Sequence, residues 1–209
     1  LAKGRPFAFL DHNLRCGDSL LGIHRLDQLT TLKMNPDDGR RQYRLFGGNV
    51  EAAVAEAIDI RGRMRSVYIR DINDVETVAS MDVEARKKLR AVQLLADAMI
   101  GEALLSNGNA TALDSALESL VIQAGELLDG NEKIESTIAR RARVGLSVDL
   151  PEGRSPRKPF HWPLEFAEVF AWTRSGFDSM LGNPPFMGGL RITELLGESY
   201  NAFLRSEEH

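Results

Sequence analysis

Apolar residues recur at alternating four- and three-residue intervals through the middle of the chain. The series runs from Ala85 through Leu89, Val92, Ala96, Met99 and Ala103. This spacing is typical of a coiled-coil-like seam on one face of a helix. It predicts a helix from Asp74 to Leu105, on the order of 48 Å long at 1.5 Å per residue, with a cap between Asp71 and Asp74.

A second apolar stripe follows after the turn Asn107-Gly108-Asn109 and comprises Leu113, Leu117, Leu120, Ala124 and Leu127. Two matching stripes joined by a short turn predict an antiparallel helical hairpin. Asn49 is a plausible N-cap for an earlier helix over 50–68, and Asn131 for a shorter one after the hairpin. Ile192 to Leu204 predicts a last helix.

The pattern changes near the C-terminal end. Phe177, Met180 and Leu181 form a short apolar run that predicts a buried strand of a parallel sheet, ended by Gly182. The next residues are Asn183-Pro184-Pro185-Phe186. Each proline fixes its own φ angle and pushes the preceding residue into extended geometry. We therefore predict a stiff loop at the carboxyl end of a strand, the edge where open α/β sheets bind ligands.

Asn183-Pro184-Pro185-Phe186 resembles the catalytic tetrapeptide of the DNA methyltransferases that methylate adenine at N6. The resemblance implies that the Asn183 side-chain oxygen and the Pro184 carbonyl accept hydrogen bonds from the adenine amino group. Such preorganised acceptors would return the delocalised lone pair to nitrogen. Phe186 would stack on the base after it has been flipped out of the duplex. The alternative is an ordinary proline turn with Phe186 in the core.

Asp18 lies in Gly17-Asp18-Ser19-Leu20, which resembles a strand end common in large restriction-modification methylases. The resemblance implies that Asp18 accepts a hydrogen bond from the adenine amino group of the cofactor, S-adenosylmethionine. A carboxylate suits this role because it is an acceptor only. The alternative is a turn in which Asp18 caps the following residues.

The aromatic block that begins at Phe160-His161-Trp162 resembles the segment before the Asn-Pro-Pro loop in type IIG-like and phage-exclusion adenine methylases. Trp162, Phe166, Val169 and Phe170 are spaced to share one apolar helix face, so packing is the expected role. The alternative to packing is that His161 and Glu165 line an active cleft.

Together these features predict a mainly α chain with a partial α/β element, an incomplete Rossmann-like methyltransferase sheet interrupted by a long helical insertion. The predicted parts are a partial core over 1–33, the insertion over 34–150, and a second partial core with the Asn-Pro-Pro-Phe loop over 151–209. The glycine-rich cofactor loop that should precede Asp18 is missing. We therefore expect a fragment that binds S-adenosylmethionine weakly or not at all and is inactive by itself.

Charge and cysteine content modify this interpretation. The formal net charge of −4 is not that of a DNA-binding module, so we expect double-stranded DNA to be bound mostly by other regions. The charges of the central region are expected to form solvated faces. The alternative is that one basic run contacts DNA phosphates: Arg140, Arg141, Arg143, Arg154, Arg157 and Lys158. A single cysteine and the lack of any long apolar run favour a cytoplasmic protein without a membrane span. No residue spacing predicts a metal site.

The predicted function is adenine-N6 methylation of DNA in a restriction-modification or phage-defence system, with subunits of that system as further partners. Two alternatives remain at this stage. One is an N-methyltransferase acting on protein glutamine, because an Asn-Pro-Pro loop suits any planar amide nitrogen. The other is a non-catalytic helical interaction module.

Overall fold

The computed structural model describes residues 14–36, 47–170, 176–182 and 189–207. The predicted apolar run at Phe7–Leu10, the possible strand around Tyr43–Phe46 and the loop Asn183–Phe186 lie outside these residues. The described part is mainly helical. Its nine helices are α1 (Leu26–Thr31), α2 (Gly47–Ser66), α3 (Ile72–Ser106), α4 (Ala110–Leu128), α5 (Glu132–Leu146), α6 (Trp162–Glu165), α7 (Ala167–Phe170), α8 (Gly189–Leu196) and α9 (Glu198–Glu207).

Helix α3 is the centre of the fold and packs against α2, α4, α5 and α9. All six residues of its predicted seam are buried, and its C-terminal half is buried around most of its circumference. A helix that is apolar on all sides belongs inside a core. The single core that results also includes residues from the α1 region and from the segments after α5. The predicted apolar seam is therefore confirmed. Helix α3 packs against more helices than α4, its only predicted partner in the hairpin.

Local capping explains where these helices begin and end. The Asp71 side chain accepts hydrogen bonds from the backbone N–H groups of Asn73 and Asp74 and starts α3. Asn107 ends α3 in the left-handed conformation, and Asn109 and Asn131 cap α4 and α5 through their side chains. The short turn between α3 and α4 forms the predicted helical hairpin.

Helices α3 and α5 approach each other most closely at a pair of glycines. A Cβ atom added to Gly145 would lie 2.4 Å from the backbone oxygen of Gly101. No side-chain rotation relieves a contact of this kind, because both partners are main chain. The glycine at 145 therefore allows α5 to lie directly on α3.

We expect Gly145→Ala to destabilise the chain by about 2 kcal/mol, because the helices must separate to accept the methyl group. Gly62→Ala is the matched control. Gly62 is also helical but has open space around it, so alanine there should stabilise by about 0.5–1 kcal/mol through propensity alone. Urea unfolding followed by circular dichroism measures both. Equal effects of the two substitutions would contradict the close crossing.

No strand forms within the residues that the structure describes. One isolated parallel bridge joins Asp18 to Pro159. The predicted buried strand at 177–181 is wrong: residues 176–182 form neither helix nor strand, and Leu181 is 97% exposed. A strand needs a neighbour that completes its ladder, and the described residues supply none. The Rossmann-like sheet therefore stays a prediction.

Two C-terminal predictions need correction in detail. The predicted last helix is two helices, because the chain breaks at Gly197 with φ +93° between α8 and α9. The aromatic block forms two four-residue helices, α6 and α7, separated at Phe166. Over the described ranges, no helix is both long and apolar enough to cross a membrane.

Candidate functional site

The predicted site residues divide between described and undescribed parts of the chain. Asn183, Pro184, Pro185 and Phe186 lie outside the described residues, whereas Asp18 lies inside them. The segments on either side of the loop, 176–182 and α8, are also described. The described part of the predicted site thus consists of Asp18 and the two flanks of the tetrapeptide.

Asp18 is half-buried, and its hydrogen bonds hold its position. Its backbone N–H donates to the Lys158 carbonyl at 2.8 Å, and its side-chain Oδ1 accepts the Leu20 N–H at 3.1 Å. The second bond is the turn contact expected when Asp18 caps the residues that follow. It leaves acceptor capacity on the carboxylate, so the capping role and a ligand-binding role are compatible.

Tyr200 on α9 is the unexpected partner of this carboxylate. Its hydroxyl lies 2.8 Å from Oδ2 and 3.0 Å from Oδ1 of Asp18, although the residues are 182 positions apart in sequence. Tyr200 is only 2% exposed. Burial and the Asp18 carboxylate raise the pKa of the Tyr200 hydroxyl well above its ordinary value, so it remains a donor. No local sequence signal marks this pair.

Arg157 supports Tyr200 from the other side. Its guanidinium carbon lies 5.8 Å from the centroid of the Tyr200 ring. The same guanidinium donates to the carbonyl groups of Val148 and Leu196, which lie just after α5 and at the end of α8. A cation at helix C-termini is favourable because unpaired carbonyl groups collect there. Burial lowers the pKa of Arg157, but arginine remains charged.

The Asp18 segment runs alongside the segment that begins the aromatic block. The Phe160 N–H donates to the Leu21 carbonyl at 2.7 Å, and the Trp162 N–H donates to the Ile23 carbonyl at 3.2 Å. Gly22 permits this approach, because a Cβ atom there would lie 2.2 Å from the Phe160 oxygen. Two stretches separated by the helical region are thus held side by side.

His161 strengthens this contact from inside the core. Its Nδ1 accepts the Ile23 N–H at 3.3 Å, and its Nε2 lies 3.1 Å from Asp97 Oδ1 on α3. Because Nδ1 accepts, the ring hydrogen lies on Nε2 and is donated to Asp97. Both ring nitrogens are used, and the side chain is buried. His161 therefore joins the Asp18 segment to α3 and does not line an open cleft.

An aromatic cluster connects the Asp18 segment to the segment before Asn183. The Phe177 ring lies 5.2 Å from that of Phe166 and 5.6 Å from that of Phe170. Trp162 lies 6.0 Å from Phe177 and donates its Nε1–H to the Ser19 carbonyl at 3.1 Å. These spacings suit edge-to-face ring packing. The packing role predicted for the aromatic block is confirmed, and it extends to Phe177.

A buried group of charges lies beneath this region. The guanidinium of Arg15 is 3.1 Å from Asp82 and 3.5 Å from Glu165, and its side chain is 5% exposed. Arg61 donates to Glu168 at 3.3 Å. Burial alone would raise the pKa of the Asp82 carboxyl, but hydrogen bonds from Arg86 and Arg15 outweigh it and hold that pKa below its usual value. Glu165 therefore belongs to an internal ion network.

The predicted basic phosphate-binding run is partly committed to internal contacts. Arg141 pairs with Glu102 and donates to the Ala116 carbonyl at 2.8 Å, and Arg157 binds helix C-termini as described above. The remaining members are exposed: Arg140, Arg143, Arg154 and Lys158. Arg141 and Arg157 are thus engaged within the chain, and a phosphate contact by the run stays a prediction that depends mainly on the other four.

Two clefts in the described part of the structure are not lined by Asp18. One of about 490 Å³ lies between Gly108 and α8–α9, and another of about 410 Å³ lies between residues 31–35 and α4. Neither is lined by Asp18 or by residues 176–182. Among the described residues, no group of three His, Cys, Asp or Glu side chains is arranged to hold a metal ion.

Trp162 therefore links the Asp18 segment, through the Ser19 carbonyl, to Phe177 in the segment before the Asn183 loop, while Tyr200 binds the Asp18 carboxylate itself. Compared with protein-family models, with curated proteins and with solved structures, the chain has no match.

Proposed function

We propose that this chain is part of an S-adenosylmethionine-dependent DNA methyltransferase that methylates adenine at N6. One observation carries the proposal. Trp162 donates a hydrogen bond to the carbonyl of Ser19, the residue after Asp18. It also packs against Phe177, which lies six residues before Asn183. The residue after Asp18 and the residue six before Asn183 thus both contact Trp162, although the Ser19–Trp162 hydrogen bond spans 143 residues of sequence; this proximity supports a shared site.

The chemistry assigned to the loop follows from its residue types. The Asn183 side-chain oxygen and the Pro184 carbonyl accept hydrogen bonds from the two N–H groups of the adenine amino group. Phe186 stacks on the base, a contact worth about 1–3 kcal/mol, and Pro185 keeps the loop stiff. When bound, the cofactor would supply the methyl group and leave as S-adenosylhomocysteine, while the amino nitrogen would lose one proton to water. The chain's own residues would contribute positioning and electrostatic stabilisation.

The surroundings of Asp18 fit the adenine amino group of such a cofactor. An ionised carboxylate offers about four acceptor sites. The described residues use these sites only through the Leu20 N–H and the Tyr200 hydroxyl. The remaining capacity and the partial exposure of Asp18 leave room for a charge-assisted bond from a ligand amino group.

The proposed Rossmann-like core would also account for exposed apolar side chains near the cluster. Leu20, Met180 and Leu181 are 53%, 65% and 97% exposed. A contiguous patch of exposed apolar groups typically marks an interaction surface, and Met180 and Leu181 are consecutive in the chain. In the proposed enzyme, Leu20, Met180 and Leu181 pack on further strands of the methyltransferase sheet. The proposed setting of the enzyme is a cytoplasmic restriction-modification or phage-defence system.

The test is methyl transfer by the full-length gene product from radiolabelled S-adenosylmethionine. We expect label in adenine-containing duplex DNA, recovered as N6-methyladenine after digestion, and none in a duplex whose adenines are all already N6-methylated. Label in a glutamine-containing protein and none in DNA would favour the glutamine methyltransferase. No label in either substrate would favour the helical interaction module.

A further inference from the structure

We infer that Tyr200 is a positioning residue that orients the Asp18 carboxylate toward the adenine ring of the cofactor. The inference rests on the proposed function and deepens it, because it gives the site a determinant that no motif contains. The supporting observation is that the Tyr200 hydroxyl lies within hydrogen-bond distance of both carboxylate oxygens of Asp18.

The Tyr200 hydroxyl is held rigidly because its ring is buried and its helix is anchored. The ring lies beneath the guanidinium of Arg157. The first turn of α9 is capped from another segment, because Asp149 Oδ2 accepts the Ser199 N–H at 2.8 Å. A donor fixed in this way sets the plane of the carboxylate that it binds.

The arrangement also selects which acceptor sites of Asp18 remain for a ligand. The Leu20 N–H binds Oδ1, and the single hydroxyl hydrogen of Tyr200 is shared between the two oxygens on one side. Among these contacts, the lone pair of Oδ2 that points away from Tyr200 is then the acceptor site left for an amino group. Without the hydroxyl, the carboxylate would keep the Leu20 bond but could rotate about its own side-chain torsion.

The experiment measures the affinity of S-adenosylhomocysteine for the full-length protein by calorimetry, with Tyr200→Phe as the test and Tyr68→Phe as the control. Tyr68 is 67% exposed, so its substitution should change nothing. Tyr200→Phe should weaken binding about tenfold, the scale of one hydrogen bond to a charged group. In Asp18→Asn, the added Tyr200→Phe change should have little further effect.

A second ligand separates positioning from a general structural role. S-inosylhomocysteine carries a carbonyl oxygen where the adenine ring carries its amino group, so it cannot donate to Asp18 from that exocyclic position. Its affinity should be low in the unsubstituted protein and should not fall further in Tyr200→Phe. Equal losses for both ligands would overturn the inference, as would full affinity of Tyr200→Phe for S-adenosylhomocysteine.

The outcomes also distinguish this inference from the proposed function. If the unsubstituted protein neither binds S-adenosylhomocysteine nor methylates DNA, both fail. If it does both and Asp18→Asn weakens binding while Tyr200→Phe does not, only the role of Tyr200 fails.

Discussion

Asn183→Ala should lower the rate of adenine methylation by the full-length protein by about 10²–10³-fold, the loss seen when one preorganised polar group is removed from a catalytic site. The adenine amino group is a poor nucleophile because its lone pair is delocalised into the ring. The Asn183 oxygen is proposed to hold one N–H and so return electron density to nitrogen. Alanine leaves the Pro184 carbonyl as the only acceptor.

The binding of S-adenosylhomocysteine separates this effect from a loss of structure. It should be unchanged in Asn183→Ala, because Asp18 and its partners Leu20 and Tyr200 are intact. Asn35→Ala is the matched control, since Asn35 is exposed and lies away from Asp18. Single-turnover rates report the chemical step directly. If Asn183→Ala retained most of its single-turnover rate, Asn183 would have no catalytic role.

Arg61→Ala should destabilise the chain by about 3 kcal/mol, because removing one member of a buried ion pair leaves its partners unsatisfied. The Arg61 side chain is 5% exposed and donates to the carbonyls of Leu164 and Glu165 and to Glu168. Burial lowers the pKa of this guanidinium, a sign that its charge is desolvated. Its loss would release the aromatic block from α2.

Arg63→Ala is the control, two residues along the same helix. Arg63 pairs with Asp59, but both side chains are mostly exposed, so alanine should cost no more than about 0.5 kcal/mol. Urea unfolding of both variants, read by circular dichroism and by tryptophan fluorescence, measures the difference. Similar unfolding midpoints for Arg61→Ala and Arg63→Ala would contradict an energetic role for the buried charges.

The helical part of the fold was predictable because its signals are local. The seam beginning at Ala85 and the caps at Asp71 and Asn131 act within a few residues of the backbone that they organise. These local signals are sufficient to predict the position of α3 and the turn that joins it to α4. The contact between α3 and α5 does not, because nothing in the α5 pattern shows that Gly145 faces Gly101.

The apolar run before Asn183 illustrates the opposite case. Phe177, Met180 and Leu181 have the composition of a buried strand, but a strand depends on partners distant in sequence. Within the described residues, only Phe177 finds apolar neighbours, in the aromatic cluster, while Met180 and Leu181 stay exposed. The break at Gly197 is similar, since a glycine inside an apolar pattern does not by itself end a helix.

By itself, the sequence determined the central helices α3 to α5 and the caps at Asp71 and Asn131, whereas the predicted cap at Asn49 is wrong because that residue lies inside α2. It also determined the chemical types proposed for the site, an acidic side chain at 18 and an amide with two prolines and a ring at 183–186. Only the tertiary structure decided that Asp18 is held by Tyr200, that His161 joins the Asp18 segment to α3, and that Phe177 shares a cluster with Trp162. The physical reason is the range of the interactions. Caps and seams are formed by neighbours along the chain, whereas these contacts join residues that the chain brings together only by folding.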